Sequence, residues 1–310
     1  MRAVSLFSGV GGFEIGFERA GIETVLQAER DRWCGEVLAA HWPDVERVAD
    51  VGSVDSGLWE RSANRARGGP ADHASEPRSG ACPDVVFGGF PCQPFSSSGL
   101  RKGQSDDRYL WPEYRRVVSE LRPRWVVIEN VTGLLSIDEG RIFGCIVNDL
   151  DELGFDAAWT VLDSRYFGVP QRRRRVFVVA GPRGRGAEQV LGVCEACAGV
   201  PSAGEGKGEA IASAVAVRLA QTSSFGWGVN LRGISYTLDG AAGGQGVIND
   251  GVLRRFTPRE CERLHGFPDD WTAVAPERAR YLQMGNAVSP PVAEWIGHRL
   301  VAVDRMMKEQ

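Results

Sequence analysis

No stretch of the 310 residues approaches the ~20 consecutive apolar positions of a membrane helix, which argues against a helical membrane protein. The opening Met1-Arg2-Ala3-Val4 lacks a secretory apolar core and is expected to enter a strand directly. A disulfide framework is missing too. The seven cysteines are odd in number and widely spaced, which points to a reducing cytoplasm. Cys194-Glu195-Ala196-Cys197 is the one CxxC, with no second pair and no histidine nearby, so no metal is expected. There is no internal repeat. There is also no overall excess of positive charge: the net is −4.

The charge is nevertheless unevenly spread. Residues 22–60 hold nine acids against three bases, whereas residues 163–185 hold seven arginines against one aspartate. An acidic chain of this kind can still turn one basic face to phosphates, although an arginine run can equally be a solvated strand edge.

Alternating patterns predict an α/β chain. Strands are expected at Ala3–Phe7, Thr24–Ala28, Val45–Val51, Asp84–Phe87, Trp125–Ile128, Ala158–Leu162 and Val176–Ala180. Helices are expected at Phe13–Ala20, Asp31–His41, Pro112–Leu121, Glu139–Leu153, from Thr257 onward, and at Val292–Met306. Residues 52–80 are polar and aperiodic and read as a surface insertion. From residue 181 to about 252 the chain becomes rich in Gly, Ala and Ser, as a small loop-rich domain would be. A parallel sheet binds ligands at the carboxyl ends of its strands, where Gly9, Glu29, Asp50, Cys92 and Glu129 all fall. The first turn spaces its glycines as Gly9-x-Gly11-Gly12, so the dinucleotide fingerprint fails, but close approach by a ligand remains allowed. Glu29 can be read as a ribose ligand or as a helix N-terminal acid.

One stretch organises the rest: Gly88-Gly89-Phe90-Pro91-Cys92-Gln93-Pro94-Phe95-Ser96. A buried strand precedes it, prolines stiffen both sides of the thiol, and a polar loop follows. Cys92 is thus either a small buried hydrophobe or a nucleophile.

These motifs resemble the DNA (cytosine-5)-methyltransferases of prokaryotes and phages. Ser5-Leu6-Phe7-Ser8-Gly9-Val10-Gly11-Gly12-Phe13 looks like the family's cofactor motif, and Gly89 to Ser96 like its catalytic motif. Glu129-Asn130-Val131 matches its ENV motif, and Gln171, Arg173 and Arg175 its QxRxR pattern. Arg255 to Cys261 with Gly266-Phe267-Pro268, and Gly285-Asn286-Ala287-Val288 with Pro291, resemble its last two motifs.

The resemblance implies a Rossmann-like, mostly parallel sheet of the S-adenosylmethionine-dependent methyltransferase class, with a small inserted target-recognition domain. Residues 1–181 and 272–310 would form the catalytic part and 182–271 the recognition part. It implies catalysis by Cys92, Glu129, Arg173 and Arg175. It also implies S-adenosylmethionine as cofactor, held by Phe7, Gly9, Gly11, Glu29, Asp50, Asn286 and Ala287. The family's aromatic after the ribose acid is replaced by Arg30, so Arg30 or Val51 would cover the adenine. Double-stranded DNA is the implied partner, met by Gln93, Ser96, Ser98, Arg108, Gln171, Arg232 and Arg255. Phe225, Trp227, Asn230, Tyr236 and Thr237 would face DNA or pack locally. A monomer in a bacterial or phage-infected cytoplasm, with a cognate restriction endonuclease, completes the expectation. A tRNA cytosine methyltransferase and a non-catalytic DNA-binding relative are the alternative readings.

Overall fold

The computed structural model describes residues 1–66, 82–91, 110–184, 186–192, 215–218, 229–230, 245–249 and 252–309. Seven strands form one sheet: β1 (Arg2–Leu6), β2 (Glu23–Ala28), β3 (Glu46–Val48), β4 (Val85–Gly88), β5 (Trp125–Val131), β6 (Phe155–Asp163) and β7 (Arg174–Pro182). Their order is β3-β2-β1-β4-β5-β7-β6. The pairs from β3 through β5 are parallel, and β7 runs antiparallel between β5 and β6. The expected mostly parallel, Rossmann-like α/β class is therefore what the chain adopts.

Strand alternation decides which helices cover which face. Val86, Val126, Ile128, Val176 and Val178 join one core. It is closed by α3 (Ser56–Ala66), α4 (Trp111–Leu121) and α5 (Arg141–Glu152). Val85, Phe87, Trp125, Val127, Phe177 and Val179 point the other way. There they meet α1 (Gly12–Arg19), α6 (Gly186–Leu191) and α9 (Pro290–Glu309). A third cluster joins α2 (Arg32–His41) to α7 (Pro258–His265) and α8 (Glu277–Asn286) through Val37, Leu38, Leu264, Phe267 and Met284. Thr257 caps α7 in the predicted capping box with Glu260.

The structure departs from expectation at three places. Part of the stretch read as an aperiodic insertion is α3, which buries Leu58, Trp59, Ser62 and Ala63 and is begun by Asp55, whose Oδ1 accepts the Leu58 N–H at 2.6 Å. Its apolar face is narrow and its remaining residues polar, so composition hid the period. α8 carries few apolar side chains, so the sequence shows no helical period there. The segment after residue 181 holds α6 and a four-stranded antiparallel sheet of β8 (Val215–Arg218), β9 (Val229–Asn230), β10 (Gln245–Asn249) and β11 (Val252–Arg255).

Candidate active site at the carboxyl ends of the strands

β1 runs into a turn that no ordinary loop would adopt. Phe7 sits at φ 55°, a conformation rare for an aromatic residue, and Gly9 and Gly11 follow at 57° and 85°. Gly11 then caps α1. The Ser8 N–H donates to the Ala28 carbonyl at 3.2 Å, and the Gly9 N–H to Glu29 Oε2 at 2.7 Å. The other Glu29 oxygen accepts the Asp31 N–H at 2.7 Å, so one carboxylate ties the turn to the start of α2. Burial raises the Glu29 pKa, and the amides of Asp31 and Gly9 oppose the rise.

A side chain on Gly9 would meet nothing within 4 Å, whereas one on Gly12 would run into the Val288 carbonyl and the Phe267 ring. The turn is therefore open at Gly9 and sealed at Gly12. Asp50 is exposed beyond β3, with Oδ1 accepting the Gly52 N–H at 2.9 Å; Val51 next to it is buried and Arg30 exposed. Asn286 is exposed at the end of α8 and Ala287 is buried. An open glycine turn flanked by acids beyond β2 and β3 suits a ligand with hydroxyls and an amine to donate.

The second half of the site lies where β4 and β5 end. A Cβ on Gly89 would stand 2.8 Å from Glu129 Oε2, so the chain leaving β4 passes directly over this carboxyl. Asn130 Nδ2 donates to the Phe90 carbonyl at 3.2 Å, and its Oδ1 accepts the Val131 N–H at 2.9 Å. β5 is thereby stitched to the backbone two residues before Cys92.

Register delivers the cation. Glu129 lies opposite Phe177 and Val131 opposite Arg175, which makes Glu129 and Arg175 diagonal neighbours on one face. Arg175 Nε lies 3.1 Å from Glu129 Oε1, an ion pair offset from hydrogen-bond alignment. Burial raises the Glu129 pKa; Arg175 and then Arg173 pull it back. A buried carboxyl held between those opposing influences is suited to exchange a proton or a hydrogen bond with a ligand.

Arg173 is wholly buried and donates from Nη1 to the Gly285 carbonyl at 3.1 Å, while its own N–H donates to Asp163 Oδ1 at 3.0 Å. Ser164 and Ser289 hydroxyls bond at 3.0 Å alongside. The arginine-rich corner and the end of α8 at Gly285, more than a hundred residues apart, are thus one unit. His265 is also fully buried, its Nδ1 3.3 Å from the Cys261 carbonyl. A carbonyl only accepts, so Nδ1 carries the proton of the neutral ring. Burial, then the charge of Arg173, holds the His265 pKa well below the usual range.

Phe7, Gly9, Gly11 and Glu29 meet at one turn, and Glu129 and Arg175 at one pair. Arg255 is exposed at the end of β11. Gln171, expected to face DNA, is instead completely buried, with neither amide atom hydrogen-bonded among the described residues. Alternation along the strand entry turns Gln171 and Arg173 inward and leaves Arg172 and Arg174 outside. Cys92, Gln93, Ser96, Ser98, Arg108, Phe225, Trp227, Arg232, Tyr236 and Thr237 lie outside the described residues, as does the Asn230 side chain. Sequence reading gave Asn130 no separate role and did not single out His265 or Glu14; the helix-start position of Glu14 was the one available signal.

The family model described as C-5 cytosine-specific DNA methylase matches residues 1–190 and 212–302. Type II methyltransferase M.NgoBI of Neisseria gonorrhoeae is 30% identical over 310 residues, which span 94% of this chain and 90% of the relative. Type II methyltransferase M2.BsuMI of Bacillus subtilis (strain 168) is 29% identical over 97% of this chain and 75% of its own length. In fold the chain is similar to the Entamoeba histolytica methyltransferase EhMeth, with a TM-score of 0.67 at 16% identity over 99% of this chain and 98% of that one. With nearly the whole chain matched and its glycine turn and paired carboxylate as described, the protein belongs to the C-5 cytosine-specific DNA methylase family, the DNA (cytosine-5)-methyltransferases that draw their methyl group from S-adenosylmethionine.

Proposed function

We propose that this enzyme methylates C5 of a cytosine flipped out of a specific double-stranded sequence, through a transient bond between Cys92 and C6. The observation that carries the reading is the arrangement around Glu129: a buried carboxyl paired with Arg175, lying under the backbone at Gly89, three residues before Cys92. C5 of cytosine is too weak a nucleophile to take a methyl directly. Addition of the Cys92 thiolate to C6 moves the ring π electrons toward C5 and N3. Glu129 accepts from the exocyclic amine and protonates or hydrogen-bonds N3 as that charge develops. Arg175 holds the Glu129 carboxyl and reaches the O2 edge, and Arg173 braces the pair. The bound cofactor supplies an electrophilic methyl. Loss of the C5 proton to a base then expels the Cys92 sulfur and restores the C5–C6 double bond.

Phe7, Gly9, Gly11, Glu29, Asp50, Asn286 and Ala287 would hold the cofactor, with Val51 rather than the exposed Arg30 beside the adenine. Flipping costs a few kcal/mol of lost stacking. Within residues 182–271 the part that would choose the sequence is the one around β8–β11, because α6 and α7 pack into the cores of the catalytic part. The setting we assign is restriction–modification in a bacterial or phage-infected cytoplasm, the enzyme acting as a monomer beside a cognate endonuclease.

The test is duplex DNA carrying 5-fluorocytosine at the target, incubated with protein and S-adenosylmethionine. The mass of the protein should rise by that of the trapped strand, because fluorine at C5 leaves no proton to remove. Cys92→Ala should neither trap nor transfer, yet keep its cofactor affinity. Transfer by that variant would refute the covalent route, and methylation of tRNA in place of DNA would refute the substrate.

A further inference from the structure

Beneath the glycine turn lies a carboxyl with no part in the transfer. Glu14 occupies the first turn of α1 and is wholly buried. Its Oε1 accepts from Gln27 Nε2 at 3.5 Å. The Gln27 Oε1 in turn accepts from Arg47 Nε and Nη2 at 3.0 and 2.7 Å, which leaves only the amide NH2 to face Glu14. Arg47 ends on the Trp42 carbonyl at 3.2 Å. The nearest cation is thus held one residue away, across β2. Glu14 Oε2 has no hydrogen-bond partner among the described residues.

The carboxyl is nevertheless connected to the turn. The Ser5 and Ser8 hydroxyls face it and ease its charge without completing an aligned bond to Oε2. Ser8, itself a residue of the turn, donates to Ser5 Oγ at 2.8 Å. Burial raises the Glu14 pKa to about 7; Ser5, its own N–H and Ser8 oppose the rise, and Glu18 adds to it. On α9, which packs against α1, Glu294 pairs with Arg19 and with His298. Near neutral pH the group stands between its two forms, and a positive charge arriving at the turn would drive it to the anion.

S-adenosylmethionine brings such a charge. Its sulfonium is cationic, whereas the product left after methyl transfer is a neutral thioether; adenosine, amino and carboxylate groups are common to both. We infer that Glu14 is a buried counter-charge by which the site holds the sulfonium form of its cofactor in preference to the neutral demethylated product, shedding a proton to solvent when the sulfonium form binds. The proton returns from solvent once the methyl group has gone, and the product is held less tightly. This inference rests on the glycine turn being the cofactor site.

Calorimetric titration of the full chain with S-adenosylmethionine and with S-adenosylhomocysteine, in buffers of different ionisation enthalpy, reads both affinity and protons released. From about pH 5.5 to about pH 8.5 the preference for S-adenosylmethionine should rise, about tenfold for each unit by which the sulfonium lowers the Glu14 pKa. Near pH 7 S-adenosylmethionine should release more protons than S-adenosylhomocysteine. The amino group shared by the ligands cancels in that comparison. Glu14→Gln should flatten the preference and abolish the difference in protons. A pH dependence persisting in that variant would assign the effect to Glu18 or Glu29 and overturn the inference. A preference constant with pH in the wild type overturns it without any variant. Glu29→Ala separates the two levels. If it weakens both ligands while the wild-type preference is flat, only the role of Glu14 falls. If it leaves both affinities unchanged, the turn is not the cofactor site and both readings fall.

Discussion

Replacing Glu14 with Gln should make the protein more stable at alkaline than at acidic pH, relative to the wild type. Burial lifts this carboxyl from 4.5 to about 7 in the folded chain. Below about pH 4.5 the acid is protonated in both the folded and the unfolded states and imposes no slope. Between about 4.5 and 7 the unfolded chain sheds the proton and the folded chain keeps it, so folding weakens by up to about 1.4 kcal/mol per pH unit. Above that window both states are ionised and the whole cost, about 3 kcal/mol, is in place. The glutamine has no charge to desolvate and can still meet Gln27. Urea unfolding of both proteins, followed by tryptophan fluorescence, measures the difference. Between about pH 5 and about pH 8 it should move toward the variant by roughly 2.5 kcal/mol, the part of the window so spanned. Curves that stay parallel would mean that Glu14 is ionised throughout, and the reasoning from burial would be refuted.

Other perturbations test the rest of the site. Arg175→Ala leaves Glu129 buried without its nearest cation and should cost about 3–5 kcal/mol. The limb of the kcat/KM profile that follows Glu129 should move to higher pH, and Arg175→Lys should restore part of it. Gly12→Ala drives a methyl into the Val288 carbonyl and should cost roughly 1–3 kcal/mol, read as a lower melting temperature with weakened cofactor binding. Gly9→Ala has open space and meets only the penalty of its positive φ, roughly 1 kcal/mol. Asn130→Ala releases the Phe90 carbonyl and should cost about 1 kcal/mol of stability. Its kcat should fall with cofactor affinity unchanged, because the strand leading to Cys92 loses its anchor; an unaltered kcat would deny Asn130 that part.

Legibility in the sequence followed how local each signal was. Strand–turn–helix alternation is written in neighbouring residues, so β1, β2, β4 and β5 could be placed by eye, and so could the glycine turn and the cap at Thr257. The amphipathic face of α3 is diluted by polar neighbours, so its period does not show in the sequence. Gln171 shows the opposite failure: its place in the QxRxR motif implied a contact with DNA, yet strand alternation carried it inside.

The sequence by itself determined the family, the strand–helix alternation of the main sheet and the chemistry available at each strand end, because motif spacing and residue type survive without coordinates. Only the tertiary structure decided partnership. The antiparallel entry of β7 beside β5 sets Arg175 diagonal to Glu129, and the packing of α1 on the sheet buries Glu14 with Gln27 standing between it and Arg47. Such relations depend on register and depth, which arise when segments distant along the chain pack together and are encoded in no single one of them.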